Sequence, residues 1–205
     1  LHLAIRRQRQ MCIRDRYDSG AFPLFLGGEH GILPALLRGC RESVTLIQID
    51  AHADLRDELD GEAYSHACSI ARALDEGAQS VYQAGIRAYC SQELKLINSD
   101  DRIHTWFARD IMSPNSGKES WTEWLSSIAK IEGPVHLTID IDGLDGSLVP
   151  ATGTPVPGGL SFWHVVQTIE TAFENCNIIS ADINEIVPQE GTPLTPVSYT
   201  HLRAH

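Results

Sequence analysis

Five short apolar runs punctuate the chain, and most of them lead into a cluster of polar residues. Phe22–Leu26, Val44–Ile49, Val81–Ile86, Val135–Ile141 and Ile178–Ile183 are rich in branched side chains. Near-continuous hydrophobicity over such lengths predicts strands buried on both faces, as in a parallel sheet. Between the runs the spacing changes to that of helices. Ser120 with Glu123 has the form of a capping box ahead of Trp124, Leu125, Ile128 and Ile131, and Gly133 closes that stretch. Ser161 is placed to cap a helix carrying Val165, Val166, Ile169 and Phe173 on one side. His66–Ala73 leads a stretch with Ala67, Ile70, Ala71 and Leu74 at helical spacing and Gly77 as its stop. Ser113–Gly117 reads as a connecting loop. Strands alternating with helices predict a doubly wound α/β domain.

In such a sheet, ligands bind beyond the carboxyl ends of the strands. The reactive residues fall there. Gly27-Gly28-Glu29-His30 follows the first run, Asp50-Ala51-His52-Ala53-Asp54 the second and Glu185 the fifth, while Asp140-Ile141-Asp142 closes the fourth. The two-residue spacing lets Asp50, His52 and Asp54 converge on one point as their strand ends, and Asp140 and Asp142 repeat it. With His30 this makes four carboxylates and two imidazoles. Buried unpaired, such acids would carry a prohibitive desolvation cost, so they protonate or hold cations. Two divalent ions offset four negative charges, and oxygen-rich ligation without thiolate favours Mn²⁺ over a zinc-finger type of site. Either motif alone reads as readily as surface acids capping a loop. Two of them, each at the end of an apolar strand, point to metal.

The segments GGEHG (27–31), DAHAD (50–54), SH (65–66), DIDGLD (140–145), PATGTPVPGGL (150–160) and DINEIVP (182–188) resemble the signature stretches of the arginase, agmatinase and formimidoylglutamase family over essentially all of 20–192. The resemblance implies a three-layer α/β sandwich around a mostly parallel sheet, here truncated at both ends. It implies a pair of Mn²⁺ ions per chain bridged by hydroxide. His30 and Asp54 would bind one ion and His52 and Asp142 the other, with Asp50 and Asp140 bridging. Gly153 and its neighbours would shape the loop under the site. His66 matches the family's proton-shuttle histidine, and Glu185 the glutamate that pairs with a guanidinium. A homo-oligomer, trimer or hexamer, is implied when the protein is full length.

Between the metal motif and His66 stand Asp57, Glu58, Asp60 and Glu62, where arginases place neutral groups that hold a carboxylate. Four acids there repel a carboxylate and suit an amine-tailed guanidine, with Asp57 and Glu58 as candidate substrate-binding residues. The expected reaction is agmatine plus water to putrescine plus urea. Arg56 and Arg87 keep guanidinobutyrase, arginase and formimidoylglutamase activities open, since either could receive a carboxylate. An inactive metal-binding homologue and a fragment that does not fold are the non-enzyme alternatives. His136 reads as a core histidine, His104 and His164 as ordinary polar positions, and Cys68 as packing.

Charge agrees with a cationic substrate. The formal net charge is −11, and leaving out residues 1–16 and 197–205 leaves 10 basic and 26 acidic residues, a net of −16. Such a body repels nucleic acid and anionic lipid and attracts cations. No apolar run reaches a membrane-spanning length, and no apolar stretch follows the basic start as in a secretory signal. Five scattered cysteines without a CxxC pair fit a reducing cytoplasm. Met11–Tyr17 (MCIRDRY) and Val197–His205 (VSYTHLRAH) resemble translated sequencing-adapter read-through. Residues 1–16 and 197–205 are therefore expected to be non-native ends around a partial catalytic domain over 17–196.

Overall fold

A computed structural model of the chain describes residues 11–187, so residues 1–10 and 188–205, the expected non-native tail 197–205 among them, lie outside the described residues. Six strands form one sheet: β1 (Leu24–Leu26), β2 (Thr45–Ile49), β3 (Ser80–Ile86), β4 (Ile103–Phe107), β5 (Pro134–Asp140) and β6 (Asn177–Asn184). Their order is β1-β6-β5-β2-β3-β4, and every pairing is parallel. Parallel neighbours need crossovers, which place helices on the faces. These are α1 (Leu33–Gly39), α2 (Ser69–Asp75), α3 (Ser91–Ser99), α4 (Ala108–Ile111), α5 (Gly117–Ile128) and α6 (Phe162–Asn175). Single 3₁₀ turns at His30–Ile32, His66–Cys68 and Ile141–Gly143 fill strand-end loops.

Two apolar cores, one on each face, make the three-layer α/β sandwich. Trp124 and Ile128 of α5 pack with Val165 and Ile169 of α6 over Ile47 and Leu137. Leu33 and Leu37 of α1 pack with Ile70 and Leu74 of α2 over Leu46 and Val81. Trp124 is fully buried, donates Nε1–H to Thr168 Oγ1 at 3.0 Å, and meets Trp106 edge-on at 5.3 Å. Trp124→Ala is expected to cost about 3–5 kcal/mol in urea unfolding. A loss below about 1 kcal/mol would show that α5 is not anchored by this residue.

Several boundaries differ from the sequence expectation, for physical reasons. The first strand is only Leu24–Leu26, because Pro23 has no N–H to offer and Phe22 lies in solvent. It is also an edge strand, so Leu24 and Leu26 are exposed rather than buried on both faces. The Ser120–Glu123 capping box is overturned: α5 starts at Gly117, with Ser116 as its N-cap residue. Ser113 Oγ accepts the N–H groups of Asn115 and Ser116, turning the chain into the helix one turn early. Ser161 does cap α6, in a reciprocal box whose other member is His164. β4 goes unforeseen, because His104 and Thr105 interrupt its apolar run. Among the described residues, no helix is long and apolar enough to cross a membrane.

Candidate metal centre

The strand order reverses direction between β2 and β5, where crossovers leave for opposite sides and open a crevice. Asp50 follows β2, and Asp140 ends β5 beside it. Asp50 Oδ1 accepts the N–H of His52 at 2.6 Å, and Oδ2 accepts from Gln48 Nε2 at 2.7 Å. Asp142 Oδ1 accepts the N–H of Ala51 at 3.1 Å, tying the two strand ends together. Gly143 permits that approach, since a Cβ there would lie 2.8 Å from the Asp50 nitrogen. A Cβ on Gly153 would meet Glu185 Oε2 at an ordinary 3.7 Å, so the close approach is at Gly143 instead.

All six predicted ligand-type side chains come together. His30 Nδ1 lies 3.2 Å from Asp50 Oδ2, 3.0 Å from Asp54 Oδ2 and 3.6 Å from Asp140 Oδ2. His52 Nδ1 lies 3.1 Å from Asp142 Oδ2 and 3.6 Å from Asp50 Oδ1. His30, Asp50 and Asp140 form one group with the spacing of a metal site, and Asp50, His52 and Asp142 form a second, with Asp50 common to both. Asp54 sits at φ +54° and is held by Ser69, whose hydroxyl donates to Oδ2 at 2.6 Å. Thr154 Oγ1 donates to Asp142 Oδ2 at 3.1 Å.

The electrostatics are those of crowded acids. Burial and the charge of Asp50 push Asp54 up to about 6. Burial, with Asp50 and Asp142 nearby, lifts Asp140 well above the carboxylate range. Burial works against Asp50 too, but its contacts with His30 and His52 outweigh it and hold Asp50 well below that range. Burial would lower His52, yet Asp142 and Asp50 raise it to about 10. Acids that cannot all ionise together are relieved by cations. His30 fits the same chemistry: it is fully buried, and Nδ1 has no hydrogen-bond partner although three carboxylates surround it. A ring nitrogen aimed at acid oxygens without bonding to them suits a divalent ion between them.

Around the acids stand the remaining candidates. His66 opens a 3₁₀ turn and is half-exposed, and its N–H and Nδ1 lie 3.2 and 3.3 Å from Glu29 Oε1. Glu29 lies inside a motif that sequence reading picked out, yet its partnership with His66 was not foreseen. Glu185 occupies the left-handed region at φ +64°, accepts the N–H of His30 on Oε1 at 2.6 Å, and is raised by burial. Asp57 and Glu58 are not drawn into the cluster: Asp57 bonds Arg72 at 2.9 Å on the surface, and Glu58 is exposed. Cys68 is buried, which pushes its thiol up and suits packing.

Arg87 is not a free carboxylate receptor. Its guanidinium donates to the carbonyls of Gly85, Asp142, Gly143, Leu144 and Val156, stapling the chain after Asp142. Arg56 leans towards Glu93 at 3.8 Å. The stapled loop is also pinned by Asp145, which accepts from the Ser147 hydroxyl at 2.6 Å and from the N–H groups of Ser147, Gly158 and Gly159. The Ser147 hydroxyl, followed by those N–H groups, holds the Asp145 carboxyl at about 2, below its ordinary 3.8. A lowered folded-state value adds stability above pH ~4 that disappears as pH falls towards ~2. The urea-midpoint gap between wild type and Asp145→Asn is therefore expected to be widest above pH ~4 and to shrink towards pH ~2. A gap that widens on acidification would contradict the assignment.

Comparison with known proteins points to one family. The arginase-family model matches residues 3–200. The N(1)-aminopropylagmatine ureohydrolase of Synechocystis sp. is 36% identical over 191 residues, covering 90% of this chain and 60% of the relative. The agmatinase of Pyrococcus horikoshii is 34% identical over 166 residues, covering 81% of this chain and 55% of the relative. The crystal structure of the agmatine ureohydrolase of Thermoplasma volcanium superposes with a TM-score of 0.84 at 26% identity, over 98% of this chain and 66% of that one. The chain thus spans 55–60% of the length of these two curated relatives. A match running from residue 3 to residue 200, reached by sequence and again by fold, makes this chain a member of the arginase family.

Proposed function

We propose that this chain carries the binuclear-manganese centre of a hydrolase that converts agmatine and water to putrescine and urea. The observation that carries the reading is the buried, unbonded His30 Nδ1 among three carboxylates, beside a second group that shares Asp50. On the family pattern His30 and Asp54 would hold one ion and His52 and Asp142 the other, with Asp50 and Asp140 bridging. Four carboxylates balance two divalent ions, and oxygen and imidazole donors without thiolate suit Mn²⁺. When bound, the two ions lower the pKa of water towards neutrality and stabilise negative charge that develops in the transition state.

The protein's own groups bind the substrate and move the proton. Glu185 has Oε1 engaged by the His30 N–H, which leaves Oε2 to pair with the guanidinium. His66, with Nδ1 beside Glu29, offers Nε2 to protonate the leaving amine nitrogen as the C–N bond breaks. The commitment of Arg87 to carbonyls and the acids from Asp57 to Glu62 support a cationic tail over a carboxylate one. Asp57 already carries Arg72, which favours Glu58 for the substrate's amine. The 36% identical relative supports a second reading, N(1)-aminopropylagmatine, whose additional amine the same acidic loop suits. On the family pattern, the full-length protein is a cytoplasmic trimer or hexamer.

The test is urea release by the Mn²⁺-loaded protein from agmatine, N(1)-aminopropylagmatine, 4-guanidinobutyrate and arginine, side by side. Urea from either amine-tailed substrate is the expected result, and the faster of the two decides between them. Urea from a carboxylated substrate alone overturns the reading of the tail. Failure to bind Mn²⁺ overturns the centre itself.

A further inference from the structure

Asp182 and His136 are fully buried, opposite in character, and unused by the chemistry above. They lie on neighbouring strands, β6 and β5, where the register sets His136 against Ser180 and Thr138 against Asp182. Asp182 Oδ2 meets His136 Nε2 at 2.5 Å, and His136 Nδ1 meets Ser180 Oγ at 2.6 Å. Asp182 Oδ1 accepts the Thr138 hydroxyl at 2.8 Å and also the Asn184 side-chain amide. Thr138 Oγ1 in turn lies 2.8 Å from His30 Nε2. A continuous buried chain therefore joins the His136–Asp182 pair to the far side of the metal-facing imidazole.

Counting protons along this chain gives it a direction. A carboxylate only accepts, so the single Thr138 hydroxyl proton goes to Asp182. The Thr138 oxygen is then left as an acceptor, and His30 Nε2 must supply the proton. A neutral imidazole protonated on Nε2 keeps its lone pair on Nδ1, the atom that faces Asp50, Asp54 and Asp140. We infer that Asp182, itself oriented by His136, is a positioning residue for the metal centre. It acts through Thr138 to present His30 as an Nδ1 ligand. Partners behind a ligating histidine do this work by fixing the tautomer and the ring plane. The inference rests on the proposed metal reading of His30.

The experiment is Mn²⁺ binding to the full chain, followed by titration calorimetry and electron paramagnetic resonance. Thr138→Val removes the link at nearly constant volume. It is expected to weaken one of the two ions by ~10- to 100-fold, as outer partners of metal ligands do, and to leave the other unchanged. His30→Asn identifies which ion that is. Thr138→Ser retains the hydroxyl and should restore wild-type binding. Because the two residues act in series, adding Asp182→Leu to Thr138→Val should weaken that ion no further. Asp182→Leu leaves buried donors unpaired and is prone to misfold, so the comparison of Thr138→Val with Thr138→Ser is the decisive one. Equal weakening of both ions, wild-type binding by Thr138→Val, or failure of Thr138→Ser to recover binding each overturns the inference. A wild-type protein that binds no Mn²⁺ instead overturns the metal reading beneath it, and the inference falls with it.

Discussion

Asp50→Asn is expected to remove tight Mn²⁺ binding at both positions while leaving the fold in place. Asp50 belongs to both ligand groups, and its two oxygens face different histidines, Oδ2 towards His30 and Oδ1 towards His52. The amide has nearly the same shape, and its carbonyl oxygen can still accept the His52 N–H. The fold therefore keeps an acceptor at the end of β2. What is lost is the negative charge shared by the two groups. Outer partners of a metal ligand already cost ~10- to 100-fold in affinity, so removing a shared ligand should cost at least ~100-fold. Urea release should fall by roughly 10³ or more, since water without the ions is a poor nucleophile near neutral pH. Metal content after gel filtration, circular dichroism and a urea assay separate these effects. His52→Asn is the control, because His52 belongs only to the second group and its loss should spare the first ion. Two ions bound to Asp50→Asn as tightly as to wild type would sink the shared-ligand assignment.

His66→Ala is expected to act differently, lowering kcat by ~10²- to 10⁴-fold while both ions stay bound. A strongly basic amine is a poor leaving group unless it departs protonated, so the step needs a donor near the breaking C–N bond. His66 stands on a strand-end turn with Nδ1 and its own N–H gathered by one oxygen of Glu29. That contact directs Nε2 away from Glu29, and partial exposure lets the ring recover its proton from solvent. The measurement is steady-state urea release with Mn²⁺ content determined on the same sample. Added imidazole should recover part of the rate in His66→Ala if proton delivery is what was lost. Full activity in the variant would remove His66 from the chemistry. Loss of activity together with metal would reassign it to the architecture of the loop. Glu185→Gln should instead raise KM, because it would weaken the pairing proposed for Glu185 with the guanidinium.

The elements that the sequence foretold best are those in which one local pattern has one physical solution. Continuous branched runs predicted five of the six strands, four of them in the sheet interior, where burial on both faces leaves no need for polar alternation, and the fifth the exposed edge strand β1. The alternation in Asp50-Ala51-His52-Ala53-Asp54 and in Asp140-Ile141-Asp142 supplied five of the six ligand-type residues and the segment after β1 the sixth, His30, because a parallel sheet delivers its strand ends to one edge. Where two local signals competed, tertiary contacts chose. Ser120 and Glu123 have the form of a capping box, but Ser113 and the backbone around Ile111 start α5 at Gly117. β4 is half-exposed at an edge, and its mixed sequence carries little periodic signal.

Partnerships across long stretches of chain were beyond local reading altogether. Arg87 looked free to receive a carboxylate, yet the fold brings carbonyls 55 to 69 residues away onto its guanidinium. Asp57 reads as a substrate acid until α2 presents Arg72 to it. His30, in the turn after β1, meets Thr138 across 108 residues, and Thr138 meets Asp182 across 44 because β5 and β6 are neighbours in that register. Sequence by itself determined which chemistry this protein could carry and at which edge of the sheet. The strand order decided which acid faces which histidine, because hydrogen-bond partners are set by distance in space and not along the chain.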